Sequence, residues 1–197
     1  IRVSLVGSEM CIRDSPGNVA HSGSPEVAET MDAVARNLGL ELTPLEGATS
    51  CGAGIIKQAN QRLQLALNAR TFAMAESLGL EILSPCAATA GNLKQDLEKL
   101  RSDSILMKEI NDVLSKTCGM EFTGNTEVHH LLHVLVDEIG LDKVEKLAVN
   151  KFDFRVAPYY SPYFQMEGAC GGDSVNDPEY FEKLIQSLGG RPIDWEG

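Results

Sequence analysis

The segment Leu80-Glu81-Ile82-Leu83-Ser84-Pro85-Cys86-Ala87-Ala88-Thr89 decides the fold class. Leu80-Glu81-Ile82-Leu83 reads as a short strand, and Ser84-Pro85 breaks it, because proline has no N–H to give to a sheet. After Cys86, Leu93, Leu97 and Leu100 recur at the spacing of one helical face. The same order appears upstream. Leu40-Glu41-Leu42 alternates as a strand, then Cys51-Gly52-Ala53-Gly54 leads into a helix expected over 55–78. On that helix Ile56, Ala59, Leu63, Leu67, Met74 and Leu78 mark one apolar side, and Leu65 and Phe72 a second, partly buried one. A helix is also expected over 24–39, capped by Ser24, with Pro25 and Glu26 in its first turn and Gly39 at its end. Val27, Met31, Val34 and Leu38 form its apolar face. Further on, helices are predicted over 102–118 (Ile105, Ile110, Leu114), 127–139, 141–149 and 178–188, with a strand over 154–157. Strands alternating with long helices predict an α/β fold, a parallel sheet flanked by helices.

The bulk numbers narrow the function classes. The 197 residues are 43% hydrophobic and 23% charged, the composition of a globular chain that can bury a core. A net charge of −11 argues against nucleic-acid or anionic-membrane partners, which need clustered positive charge. No stretch approaches the ~20 apolar residues that membrane insertion by a helix requires. The five cysteines, Cys11, Cys51, Cys86, Cys118 and Cys170, are odd in number and widely spaced. That is not a disulfide framework, so a reducing cytoplasm is expected.

The two ends read differently from the middle. Residues 1–15 contain VSLVGSEMCIRDS, which looks like translated sequencing adapter, so they are expected to be a non-native leader and Cys11 is set aside. At the other end, the ten residues from Leu38 to Gly47 align without a gap on Leu188 to Gly197, an offset of 150. Each block follows a helix start with proline in its first turn, Ser24-Pro25-Glu26 and Asp177-Pro178-Glu179. This predicts a duplicated unit: a first domain over 16–150 and the start of a second, truncated copy over 151–197.

Cys51 and Cys86 share a context, each following an extended segment and preceding a helix, with 34 residues between them. In an open parallel sheet such junctions lie along the carboxyl edge, where ligands bind. A helix N-terminus also favours thiolate over thiol, which suits a metal ligand or a redox thiol. Both cysteines can equally be small buried residues in tight turns.

The spacing and the words around it resemble the family of heterodisulfide reductase B subunits, whose cysteine-rich CCG motif occurs twice. Ser15-Pro16-Gly17-Asn18 stands where the family has Pro-Gly-Cys, Ser50-Cys51-Gly52-Ala53 where it has Cys-Cys-Gly-Ala, and Cys86-Ala87-Ala88-Thr89 where it has Cys-x-x-Cys. Leu67-Asn68-Ala69-Arg70, Ala75-Glu76-Ser77-Leu78-Gly79-Leu80, the run from His130 to Val136 and Gly140-Leu141-Asp142-Lys143 also look like the family. The resemblance implies an oxidoreductase subunit for electron transfer and disulfide reduction. It also implies a noncubane [4Fe-4S] cluster, and partner subunits that carry a flavin and ferredoxin-like iron–sulfur centres.

The departures bear on that cofactor. Of five cluster cysteines implied for the first motif, Cys51 and Cys86 remain; Asn18, Ser50 and Thr89 take the other places. Pro162, in Tyr159-Tyr160-Ser161-Pro162, stands where the second motif would open with cysteine. Neutral oxygen and amide groups are weak ligands beside thiolate for soft iron–sulfur chemistry. The expectation is therefore a degenerate first site, its cluster absent or altered, with Cys51 and Cys86 as the catalytic, cofactor-binding and metal-binding candidates. Two alternatives stay open: a cluster-free scaffold for partner electron-transfer proteins, or the iron–sulfur subunit of a lactate or glycolate oxidase. His129 and His133, one turn apart on the helix expected over 127–139, are read as surface or packing residues, since no third zinc ligand accompanies them. Cys170 is read as a loop residue and Cys118 as a packed thiol.

Overall fold

The computed structural model describes residues 2–5, 26–45, 47–164, 166 and 172–194. Four parallel strands form the main sheet: β1 (Arg2–Leu5), β2 (Glu41–Pro44), β3 (Glu81–Ser84) and β4 (Val128–His130), in spatial order β2-β1-β3-β4. Arg2 to Leu5, which fall inside the stretch expected to be a leader, occupy an inner position, pairing Val3 with Leu42 on one side and with Glu81 on the other. Between the strands run α1 (Glu26–Leu38), α2 (Ile55–Ala59), α3 (Gln61–Leu78), α4 (Ala87–Ser102) and α5 (Ser104–Cys118). The α/β fold with a parallel sheet is the one expected.

Both faces of the sheet are covered, which is why its strands carry consecutive apolar residues. Ile82 and Leu83 are both fully buried and belong to different clusters. Ile82 packs with Leu65, Phe72, Leu93, Leu97 and Phe122, on the side of α3, α4 and α5. Leu83 packs with Met31, Ala35, Leu38 and Val134, on the side of α1.

Several elements depart from expectation for identifiable reasons. The helix expected over 55–78 is two helices, because Asn60 leaves helical geometry and its side chain accepts the Leu63 N–H as a cap. The buried face of α3 is the one marked by Leu65 and Phe72, while Leu63 and Leu78 are exposed. Gln64 and Asn68 lie inside the buried face and conceal its periodicity. Val34 and Ile105 are likewise exposed, and Ala35 takes the core position on α1. The helix expected over 127–139 begins as β4, paired with β3 through Leu83–His129 and Ser84–His130. Only then come α6 (Leu131–His133) and a π-helical continuation, Val134–Ile139. Cys118 is exposed and not packed.

After α7 (Leu141–Leu147), a second two-stranded parallel sheet joins β5 (Arg155–Val156) to β6 (Arg191–Pro192), with α8 (Tyr180–Ser187) between them. α8–β6 repeats the geometry of α1–β2. At the end of α1, Gly39 N–H bonds Arg36 O and Leu40 N–H bonds Ala35 O; after α8, Gly189 N–H bonds Gln186 O and Gly190 N–H bonds Ile185 O. Gly39 and Gly189 have φ of 77° and 90°, the left-handed turn that closes a helix this way. Among the described residues no helix is long and apolar enough to cross a membrane.

Candidate functional site

All four strands of the main sheet run the same way, so the loops after β2 and β3 leave from one edge. Cys51 lies in the loop after β2, and Cys86 is the N-cap residue of α4, directly after β3. From β1 the chain moves outward to β2, then crosses back to β3 on the other side. That reversal is a topological switch point, where the carboxyl ends of neighbouring strands open a crevice. Asn18 belongs to the connection after β1 and lies outside the described residues, as do Cys11 and Cys170.

Cys51 is buried and Cys86 half-buried. The Cys51 Sγ donates to Thr89 Oγ1 at 3.6 Å, in the first turn of α4. Ser50 Oγ accepts the Gly52 N–H at 3.0 Å, which tightens the turn around Cys51. Gly52 has φ of 64°, and a Cβ there would come within 2.8 Å of Gln64 Cγ, so only glycine fits.

Beneath this loop is a buried polar cluster absent from the sequence-level site. Gln64 Nε2 and Asn68 Nδ2 each donate to Cys51 O at 3.1 Å and to Asp96 Oδ2 at 2.6 Å. Burial pushes the Asp96 carboxyl above its ordinary range; the Asn68 bond, the charge of Lys57, the Gln64 bond and the charge of Lys99 oppose the rise. Lys57 Nζ bonds Asn92 Oδ1 at 2.7 Å and Gln95 Oε1 at 3.2 Å, tying α2 to α4. A signal for this cluster was present: two amides one turn apart inside an apolar stripe.

Cys86 has its own fixtures. Ser84 Oγ accepts the Cys86 N–H at 3.1 Å and donates to Cys86 O at 3.2 Å. His130 Nδ1 accepts the Leu132 N–H, so the ring hydrogen sits on Nε2 and is donated to Pro85 O at 3.1 Å. Burial, then the neighbouring His133, lowers the His130 pKa to about 3, and burial with the Lys94 charge lowers that of His133 to about 4. Both rings are neutral at physiological pH, and each meets Phe164 edge-on. An apolar cavity of about 290 Å³ adjoins the Cys86 loop, lined by Pro85, Ala87, His130, Leu132, Phe164 and Phe181. His129, by contrast, lies between Glu81 (3.0 Å) and Glu138 (3.5 Å), apart from the cysteines' fixtures.

At this edge the described residues supply the thiols of Cys51 and Cys86 and the hydroxyls of Ser50, Ser84 and Thr89, each hydroxyl engaged in a hydrogen bond with Cys51, its turn or Cys86. No group of three or more His, Cys, Asp or Glu converges on a metal-sized site among the described residues.

Residues 15–94 match the CCG family, a cysteine-rich domain. Over most of its length the chain is similar to B subunits of heterodisulfide reductases. It is 26% identical over 91% of its length to the B subunit of the ferredoxin/F(420)H(2)-dependent CoB-CoM heterodisulfide reductase of Methanosarcina acetivorans, covering 60% of that protein. Identity to the B subunit of the ferredoxin:CoB-CoM heterodisulfide reductase of Methanosarcina mazei is 25%, again over 91% of this chain and 60% of the relative. The 8-methylmenaquinol:fumarate reductase membrane anchor subunit of Wolinella succinogenes is 30% identical over 92% of this chain and 63% of its own length. The chain thus spans about three-fifths of the curated relatives it matches.

Proposed function

We propose that this chain is an electron-transfer subunit of a heterodisulfide-reductase-type complex in which the first cysteine-rich unit presents thiols in place of a noncubane [4Fe-4S] cluster. The observation that carries this reading is the Cys51–Thr89 contact, which joins two of the family's ligand positions across the β2 and β3 loops. Thr89 occupies a ligand place as a hydroxyl, and its neighbour is held as a thiol. Cys51 and Cys86 are the redox candidates, with Ser50 and Thr89 shaping the pocket and Asn18 at the third altered position. Partner subunits of this complex carry a flavin and ferredoxin-like iron–sulfur centres, in a cytoplasmic setting.

Iron and acid-labile sulfide analysis after anaerobic reconstitution, paired with a thiol redox titration, tests the reading. The expected result is iron far below four per chain and a titratable couple lost in Cys51→Ala and in Cys86→Ala. Near-stoichiometric four-iron occupancy that depends on Cys51 sinks the altered-site reading. No iron and no couple would make the chain a scaffold for its partners.

A further inference from the structure

The polar cluster under Cys51 is costly for a fold to keep. Gln64 and Asn68 are fully buried, Asp96 is 3% exposed, and the amide oxygens Gln64 Oε1 and Asn68 Oδ1 have no hydrogen-bond partner among the described residues. Burying three polar side chains and leaving two acceptors without donors costs free energy that an apolar trio would not. What the cluster supplies is geometric. Two amides one helical turn apart on α3 span the same two acceptors, Cys51 O and Asp96 Oδ2. Thr89 and Asp96, seven residues apart, lie on one face of α4, and both are buried. That face therefore meets Cys51 twice: Thr89 takes the thiol, and Asp96 braces the amides that grip the carbonyl. The turn cannot relax toward α3, because Gly52 already sits against Gln64.

From this geometry we propose that Gln64, Asn68 and Asp96 are positioning residues for the Cys51 thiol. They fix its carbonyl so that the sulfur stays aimed at the first turn of α4. The role given to that thiol rests on the proposed function; the positioning itself does not.

The test is the rate of thiol labelling by a small methanethiosulfonate on the full chain, read by peptide mass, with exposed Cys118 as internal reference. Labelling of a buried thiol tracks the local opening that exposes it. In Asn68→Leu and Asp96→Leu, Cys51 should label about tenfold faster relative to Cys118, the effect of losing roughly one buried hydrogen bond from the local opening. Low urea should leave that rate unchanged, since opening of one turn exposes little surface. Asp96→Asn keeps an acceptor oxygen and should label within about twofold of wild type. Unchanged Cys51 labelling in the folded leucine variants overturns the proposal, and so does acceleration that rises steeply with urea. Should the leucine variants fail to fold, Gln64→Met removes one amide of the two. About a threefold gain confined to Cys51 is then expected, and no gain overturns the idea. Labelling needs no electron partner. A protected Cys51 in a chain without any redox couple would therefore defeat the proposed function and leave the positioning intact.

Discussion

The sulfur of Cys51 donates to the hydroxyl of Thr89 at 3.6 Å, although 38 positions separate the two residues in the chain. The contact spans two βα loops that leave the same edge of one parallel sheet. It pairs a good soft-metal ligand with a poor one.

Restoring the altered positions should change the metal chemistry. Asn18→Cys, Ser50→Cys and Thr89→Cys combined would raise the thiolates at the first motif from two to five. The triple variant is expected to retain iron and sulfide after anaerobic reconstitution and desalting, with the parent chain as control. Equal retention by both would show that these three residues are not what limits cluster binding.

Gly52→Ala probes the turn. An alanine at φ of 64° is strained, and its Cβ would crowd Gln64 Cγ at 2.8 Å. A loss of about 1–3 kcal/mol is expected, as for other non-glycine residues forced into left-handed backbone against a packed neighbour. The urea midpoint measures it. Wild-type stability would mean that the amide side chain yields.

Much of this architecture was legible in the chain. Short apolar strands bounded by Ser-Pro or glycine turns and followed by helices of period 3.6 are enough for a parallel α/β sheet, and the loops carrying Cys51 and Cys86 do leave one edge. The main face of α3 was legible only in part: Leu65 and Phe72 marked the buried side, but Gln64 and Asn68 sit where a hydrophobic stripe would be counted, so the side of Leu63 and Leu78 read as the stronger one. β4 was hidden for a related reason. Its three residues, Val128-His129-His130, run directly into a helix that His130 itself caps, and three residues are too few to show a period of two. Asp96 gave no signal as a site residue. Within α4 it reads as one more exposed acid, until α3 is laid against it.

His133 makes a pH-dependent prediction. Its pKa in the fold is lowered to about 4 by burial and the Lys94 charge, and its Nδ1 is buried without a hydrogen-bond partner among the described residues. A histidine in the unfolded chain titrates near 6.5. As pH falls below that value the unfolded state takes up the proton first, so stability is lost between the two pKa values. The loss accrues at on the order of 1.4 kcal/mol per unit of pH. His133→Phe preserves ring contacts with Phe164 and Tyr180 and removes the titration. Its stability relative to wild type should therefore be more favourable at about pH 5 than at about pH 8. Equal differences at both pH values, measured by urea denaturation, would rule out a protonation origin.

Asp96 predicts the opposite slope. Burial raises its pKa in the fold above the ordinary carboxylate value, so the folded state holds the proton more tightly than the unfolded chain does. The stability this contributes is complete below the unfolded pKa, near 3.9, and is lost as pH rises through the folded one. Lys57, held over α4 by Asn92 and Gln95, is the nearest opposing influence among the charges, and Lys99 is a weaker one. Asp96→Asn keeps an oxygen for Gln64 and Asn68 but does not titrate. Compared with wild type it should lose ground at about pH 4 and recover it, or gain, toward about pH 8. Urea midpoints for both proteins across that range give the difference directly. A flat difference would mean that Asp96 ionises inside the fold as readily as outside, with the two amides and Lys57 fully offsetting its burial.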